Sequence, residues 1–477
     1  MAVAAQVFAP ALCVDLDGTL VRSDLLLESL LLLIRRNPLY VLRIPFWLTR
    51  GRAALKAEVA SRIVLDPALL PYNRPLLAWL KTEHEQGREL WLCTASDRKL
   101  AEAVAAHLGF FAGVLASDAR TNFAGARKAA ALVARFGRGA FDYCGNETRD
   151  LHVWREARGA VVIAAPRLIE RVRAQVAVLE SFAAPSAGAR SLLRALRPHQ
   201  WAKNVLVFVP LLAAHRFADL RALVGGVLAL GAFCLCASSV YVLNDLLDLE
   251  ADRAHARKAK RPFAAGDLPI STGLALIPIL LGGGMLIAAW LPAKFQLALG
   301  AYYLLTLAYS LKLKRILVID AVALAGLYTL RIIGGAAAAG VALSFWLLLF
   351  SVFLFLSLAF VKRYAELDSL RRQQRLNAAG RRYHVEDLAV LQSFGTAAGY
   401  LSVLVLALYI NSPDVAALYR HPKAIWMLCV LLLYWVSRVW MTAHRGGMHD
   451  DPVLYALRDK VSLGLGILAA VALWLAL

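Results

Sequence analysis

Two sets of carboxylates in this chain have the residue types and spacing that phosphate chemistry requires. Asp15-Leu16-Asp17-Gly18-Thr19 follows an apolar, strand-like run near the N-terminus, and Asn244-Asp245-x-x-Asp248-x-x-x-Asp252 closes a long hydrophobic segment. Carboxylate and amide oxygens are the ligands that magnesium takes, and magnesium commonly bridges protein to phosphate. A carboxylate beside a second carboxyl also supplies a nucleophile and an acid/base for phosphoryl transfer. In the second set the positions i, i+3 and i+7 put Asp245, Asp248 and Asp252 on one face of a helix. Charged groups at the end of an apolar span are costly, so they are functional by default, and a bound cation would offset their mutual repulsion. Arg257, Lys258 and Arg261-Pro262 follow at once and provide cations for phosphate oxygens. The pattern points to two phosphate chemistries, one in a soluble domain and one at a membrane surface.

The elements that must position these groups differ between the two halves. The 477 residues are 60% hydrophobic, the mean hydropathy is +0.59, and the excess lies beyond about residue 190. Runs near the length of a bilayer crossing occupy 223–244, 274–291, 295–311, 316–340, 341–361, 388–410, 425–441 and 461–477, with a weaker one over 192–214. About nine spans are expected. One loop holds Arg253, Arg257, Lys258, Lys260 and Arg261, the next alternate loop Lys312, Lys314 and Arg315, and the one after Lys362, Arg363, Arg371, Arg372, Arg375, Arg381 and Arg382. The intervening loops carry few cations, such as Arg216, Arg221, Lys294 and Arg420. By the positive-inside rule the basic loops, the N-terminal domain and both candidate sites face the cytoplasm from the inner (cytoplasmic) membrane, and an odd span count puts the C-terminus outside.

Those loops absorb most of the net charge of +20. Nucleic acid is therefore not the expected partner, whereas anionic lipids and phosphorylated substrates are. The six cysteines have no zinc-ligand spacing, and Cys234-x-Cys236 lies inside an apolar span, so they read as reduced packing residues. The first apolar stretch contains Asp15 and Asp17, so no cleavable signal is expected.

Up to about residue 180, short apolar runs alternate with helical patterns, the mark of a parallel sheet. Candidate strands are 11–16, 89–94, 113–117, 140–144 and 160–164. The N-terminal domain then covers 1–180, a linker rich in alanine, proline, serine and glycine covers 181–191, and the membrane domain covers 192–477. In parallel sheets ligands gather at the carboxyl ends of strands. Three candidate strands end in Asp15 and Asp17, in Thr94 and Ser96, and in Gly145-Asn146-x-x-x-Asp150, and Lys128 lies on a helical stretch between the last two. A phosphoryl-transfer site needs these types: a carboxylate nucleophile, a second carboxyl, a hydroxyl and an ammonium for phosphoryl oxygens, and acidic ligands for magnesium.

This ordered set resembles the haloacid dehalogenase-like phosphatase superfamily over residues 10–165. The resemblance implies an N-terminal α/β fold, a Rossmann-like parallel sheet with a small helical cap formed by the insert 25–72. It implies Asp15 as nucleophile, Asp17 as acid/base, Thr94, Ser96 and Lys128 as phosphate binders, and magnesium on Asp15, Asp17, Asn146 and Asp150. The apolar stretches 25–34 and 39–47 of the cap are expected to rest on the membrane. Asn146 stands where the pattern usually has an acidic residue; an amide oxygen still ligates magnesium. The competing reading is a fold-preserving but inactive regulatory domain.

The second set resembles the UbiA superfamily of intramembrane prenyltransferases over 192–477. That likeness implies a C-terminal all-α polytopic domain of about nine transmembrane helices, with magnesium on Asp245, Asp248 and Asp252. Three stretches look like the polyprenyl-phosphate phosphoribosyltransferase branch: Arg197-Pro198-His199-Gln200-Trp201-Ala202-Lys203-Asn204, then Asp252-Arg253-x-His255-x-x-Lys258-x-x-Arg261-Pro262, then Tyr309-Ser310-Leu311-Lys312. The usual second aspartate pair of aromatic prenyltransferases is absent, with Asp320 alone remaining. By this likeness the donor is phosphoribosyl pyrophosphate and the acceptor a polyprenyl phosphate, bound by Lys203, Asn204, Asn244, Arg257, Lys258, Arg261, Tyr309 and Lys312. The N-terminal domain would then remove the 5-phosphate of the product. Two alternatives stand beside this: an aromatic or quinone-pathway prenyltransferase using a prenyl diphosphate, and a transporter regulated by an inactive phosphatase-like domain. Arg331, inside an apolar span, either binds a substrate phosphate or pairs with Asp320.

Overall fold

The alternation of side chains along the first strand sets up the N-terminal domain. In the computed structural model, which describes residues 9–184, 188–374, 382–412, 419–448 and 451–477, β1 (Ala11–Val14) lies inside a sheet with β2 (Leu90–Asp97), β3 (Gly113–Ser117), β4 (Phe141–Gly145), β5 (Gly159–Ala164) and β6 (Ala177–Ala183). Arg375 and Arg381 lie outside the described residues. All five pairings are parallel, in the order β3-β2-β1-β4-β5-β6. Leu12 and Val14 pack on one face with Leu90, Leu92, Val161 and Ile163, while Cys13 packs on the other with Cys93, Phe141, Tyr143 and Val162. With both faces covered, the inner strands read as continuous apolar runs. The edge strand β6 has no such run, and its last residues, 181–183, fall where the sequence reads as linker. β1 pairs with β2 on one side and β4 on the other, so its carboxyl end opens at the point where strand order reverses.

The insert after β1 is helical. Its first helix, α1 (Leu25–Arg36), starts at Asp24, whose side chain accepts from the Leu27 amide. Leu25 and Leu33 are buried in the domain core, which corrects the expectation that 25–34 rests on a membrane: the helical period turns these two leucines toward the sheet. The second stretch behaves differently, with Leu39, Leu42 and Phe46 exposed by 68%, 77% and 66%.

The chain divides into two compact units, one formed by Met1–Leu196 with Tyr241–Ile277 and one by Arg197–Val240 with Pro278–Leu477. Among the described residues six helices are long and apolar enough to cross a membrane: Leu220–Leu247, Ile270–Ala288, Ile319–Ala339, Phe345–Arg372, Val385–Ile410 and Lys423–His444. A shorter apolar helix covers Lys460–Ala476. The weak run over 192–214 is not one helix. Helix Ala189–Leu196 stops, Arg197 takes a left-handed conformation (φ 53°), and a 3-10 run from Pro198 to Phe208 leads to the short helix Val209–Ala213. Pro198 and Pro210 lack the amide N–H that a continuous helix needs.

In the second unit, helix Ile319–Ala339 approaches the 3-10 run so closely that a Cβ on Gly335 would lie 2.0 Å from the Val207 carbonyl oxygen. A Cβ on Gly282 meets nothing within 4 Å. Gly335→Ala should therefore destabilise the folded protein by about 1–3 kcal/mol through overpacking against backbone. Gly282→Ala should be neutral or stabilising by up to about 1 kcal/mol. Thermal unfolding of the two variants in detergent checks this.

Candidate functional sites

The carboxyl end of β1 delivers Asp15 and Asp17, and Gly18 (φ 72°) turns the chain between them and Thr19. Lys128 Nζ donates to Asp15 Oδ1 at 3.0 Å and to the Tyr143 hydroxyl at 2.9 Å, and that hydroxyl donates to Asp150 Oδ1 at 3.0 Å. Asp17 Oδ2 accepts from Ser96 Oγ at 2.6 Å and Thr94 Oγ1 at 3.4 Å, and its Oδ1 accepts from the Leu25 amide at 2.8 Å. Thr19 Oγ1 donates to Asn146 Oδ1 at 3.0 Å. Asp150 Oδ2 accepts from the Asn146 and Glu147 amides at 3.0 and 2.9 Å, so this carboxylate also shapes its own loop. All seven residues expected at this site, Asp15, Asp17, Thr94, Ser96, Lys128, Asn146 and Asp150, thus belong to linked hydrogen-bond networks at the strand ends.

Two further groups were not legible. Tyr143 reads as an ordinary apolar strand residue, yet its hydroxyl joins Lys128 to Asp150. Lys56, on helix Arg52–Ala60 of the insert, donates to the Ala95 carbonyl and, at 3.0 Å, to Asn122 Oδ1. Burial pulls its ammonium below the ordinary value while Asp17 and Asp24 oppose the change. Burial pushes Asp15 up to about 7, with Lys128 opposing and Asp150 and Asp17 adding to the rise. Burial also pushes Asp17 up to about 6, reinforced by Asp24 and opposed by Ser96. Lys128 is pulled down by burial, but Asp15 and Asp150 outweigh this and hold it above its usual value.

The second carboxylate set lies in the same compact unit as the sheet. Helix Leu220–Leu247 stops one residue before Asp248, which has φ −104° and ψ 16° and caps the short helix Leu249–Arg253. Backbone bonds from Asp248 to Asn244 and from Asp252 to Asp248, at 2.9 and 2.8 Å, carry the helical track across the break. Asp245 and Asp252 are buried, and both accept from Arg261 Nη1, at 3.1 and 2.6 Å. Asp248 pairs instead with Arg35 at 3.3 Å. Asp245 and Asp252 thus share Arg261, while Asp248 meets a second guanidinium. Asn244 is half-buried beside Asp245, and Arg257 and Lys258 are exposed on the following turn.

In the second unit, Lys203 and Lys362 both reach Asp451 Oδ2, at 2.7 and 3.0 Å, and the Tyr328 hydroxyl donates to Asp451 Oδ1 at 3.0 Å. Arg331 donates to Asn204 Oδ1 at 2.7 Å, the Tyr302 hydroxyl at 3.0 Å and the Leu327 carbonyl at 2.6 Å. Its suggested pairing with Asp320 does not form: Asp320 pairs with Arg363 and accepts from the Tyr383 hydroxyl at 2.6 Å. Arg363 also donates to the Tyr309 hydroxyl at 2.8 Å. Lys312 is exposed at the end of helix Ala293–Leu311. Arg363, Lys362 and Asp451 carry these networks, and none was singled out as a site residue from sequence.

Both carboxylate sets offer the hard oxygens that magnesium takes. In the second, the Arg261 guanidinium between two buried carboxylates already occupies a cation's position. Among the described residues no group of three or more His, Cys, Asp or Glu is gathered to hold a metal ion. The fit is therefore one of donor chemistry and of charge.

The raised Asp15 and Asp17 carry a consequence for stability. The folded state keeps its protons to higher pH than the unfolded chain, so this contribution is full below about pH 4 and is lost as pH rises through 6 and 7. Each unit of raised pKa corresponds to about 1.4 kcal/mol. Without magnesium, Asp15→Asn should gain thermal stability relative to wild type as pH rises from 5 to 8. Unfolding curves across that range check the sign; parallel curves for the two proteins contradict it.

A model of the UbiA prenyltransferase family matches residues 205–457. The uncharacterized protein y4nM of Sinorhizobium fredii is 37% identical, covering 98% of this chain and 91% of its own length. The nodulation protein NoeC of Azorhizobium caulinodans is 38% identical over 56% of this chain and 87% of its own. Decaprenyl-phosphate phosphoribosyltransferase of Mycolicibacterium smegmatis is 40% identical over 38% of this chain, which spans 58% of that relative's length. The family match covers more than half of the chain and includes both Arg261 and the aspartates it bridges, so the chain belongs to the UbiA prenyltransferase family.

Proposed function

We propose that this UbiA-family member transfers a 5-phosphoribosyl group from phosphoribosyl pyrophosphate to a polyprenyl phosphate, and that its N-terminal domain removes the 5-phosphate of the product. The reaction is placed at the cytoplasmic face of the inner membrane. The observation that carries it is the pair of buried carboxylates, Asp245 and Asp252, on Arg261, in a chain 40% identical over 187 residues to a decaprenyl-phosphate phosphoribosyltransferase.

In the transfer step the bond from the ribose anomeric carbon to pyrophosphate breaks, its electron pair leaving with pyrophosphate, and a bond from that carbon to a lipid phosphate oxygen forms. A phosphate monoester is ionised at neutral pH, so no strong protein base is needed. Arg261 neutralises Asp245 and Asp252 and, with Lys258 and Arg257 on the adjoining turn, takes up charge on the leaving group. Magnesium, held on Asp245 and Asp252 with Asp248, would supply further positive charge there. In the second unit, Lys203 and Lys362 converge on Asp451, and Arg331 lies over the ring of Tyr328, whose hydroxyl donates to the same carboxylate. That excess of cations suits an anionic phosphate. Tyr309 and Lys312 are assigned to donor recognition.

In the N-terminal domain, Asp15 attacks phosphorus and Asp17 protonates the departing ribose oxygen, after which water releases phosphate from Asp15. Lys128 steadies the nucleophile, and Thr94 and Ser96 supply hydroxyls. Magnesium on Asp15, Asp17, Asp150 and Asn146 would offset charge on the phosphoryl group. Fusion of the two steps raises the effective concentration of the intermediate.

Purified protein given labelled phosphoribosyl pyrophosphate and polyprenyl phosphate tests both assignments. Asp252→Asn should lower label transfer by about 100-fold or more, because Arg261 and the cation site lose a charge. Asp15→Asn should leave transfer intact and accumulate lipid-linked phosphoribose, where wild type yields lipid-linked ribose. Mass spectrometry of the lipid extract reads the difference. Identical phosphorylation in the two proteins refutes the phosphatase assignment, and label entering only from a prenyl diphosphate refutes the donor.

A further inference from the structure

Helix α1 touches both carboxylate sets. Its first residue donates its amide to Asp17 Oδ1 at 2.8 Å, and in its last turn Arg35 Nη2 lies 3.3 Å from Asp248 Oδ1. The ten residue steps from Leu25 to Arg35 span about 15 Å of helix. In the first turn, Glu28 receives a two-pronged bond from Arg253, at 2.9 and 2.6 Å, with both side chains buried. The third guanidinium nitrogen, Nε, donates to the Ala264 carbonyl at 2.9 Å. Leu31 and Leu32 line one cavity with Leu246, Leu247 and Leu249. Gly266 (φ 72°) sits against Arg22, a Cβ there meeting Arg22 Cβ at 2.6 Å, so the turn after Arg261 also lies flush with the start of the insert. The aspartate-rich segment and the N-terminal domain form one compact unit.

We propose that α1 is a working part of the transferase site: Glu28 fixes the aspartate-rich segment through Arg253, and Arg35 holds Asp248 and adds a guanidinium for a diphosphate-bearing donor. Reversing one charge of a buried, hydrogen-bonded pair leaves its partner uncompensated, which is far more disruptive than losing a surface pair. A guanidinium is also suited to forked contact with phosphate oxygens, and at such a site lysine does not fully replace it. This inference rests on the transferase reading for its kinetic part only.

The test uses the full-length protein in detergent, with hydrogen exchange of residues 249–265 and donor kinetics as separate readouts. Glu28→Arg should raise exchange in that segment by at least ten-fold, and Glu28→Arg combined with Arg253→Glu should bring it back toward wild type. Arg35→Ala should raise KM for phosphoribosyl pyrophosphate about ten-fold with kcat changed less than two-fold, and Arg35→Lys should recover part of the loss. Arg35 is partly exposed, so its variants keep the test open should Glu28→Arg fail to fold. Unchanged exchange in Glu28→Arg, or an unchanged donor KM in Arg35→Ala, overturns the proposal. If wild type transfers no phosphoribosyl group, that reading fails, and the exchange measurement decides the role of α1 by itself.

Discussion

Burying a carboxylate is expensive unless a cation comes with it, and this constraint organises five polar centres among the described residues. Asp15 has Lys128, Asp245 and Asp252 share Arg261, Asp320 has Arg363, Asp451 has Lys203 and Lys362, and Glu28 has Arg253. Each pairing joins residues from different elements, so each also fixes how those elements pack. Asp15 and Asp17 remain raised despite their partners, which leaves room for an incoming cation to stabilise their ionised forms.

How legible this was depended on what each residue touches. The inner strands were visible because both faces of the sheet are covered, so β1 and β5 are apolar along their length and β2 opens on the apolar run Leu90–Cys93. β6 was not, since an edge strand with Glu180 and Ser181 carries no such signal. The site residues at strand ends were legible from their order, because a parallel sheet sends its carboxyl ends to one edge. Tyr143, Arg363 and Asp451 were not, since their roles come from partners far away in sequence, such as Asp150 with Lys128, Asp320 with Tyr309, and Lys203 with Lys362. Spacing carries no information about such pairs.

The aspartate-rich segment shows the same limit within one helix. Ideal helical geometry puts Asp245, Asp248 and Asp252 on one face, yet Asp248 pairs with Arg35 while the other two converge on Arg261. With three carboxylates on one uninterrupted face, repulsion would fall on Arg261 alone. Separating the middle one onto a second guanidinium gives the cluster two cations for three acids, and it does so with a residue from the N-terminal insert.

A similar count explains how Asn146 is accommodated. The strand-end site holds Asp15, Asp17 and Asp150 with the ammonium groups of Lys128 and Lys56 acting on them. An acid at position 146 would add a fourth carboxylate beside Gly18, where even a Cβ would lie 2.3 Å from the Asn146 side-chain nitrogen. The amide instead accepts from Thr19 and leaves one net negative charge rather than two. A cation bound here would therefore have less charge to neutralise. Any hold of the site on a divalent ion would depend correspondingly more on Asp15 and Asp17, the two groups whose protons the ion would have to displace.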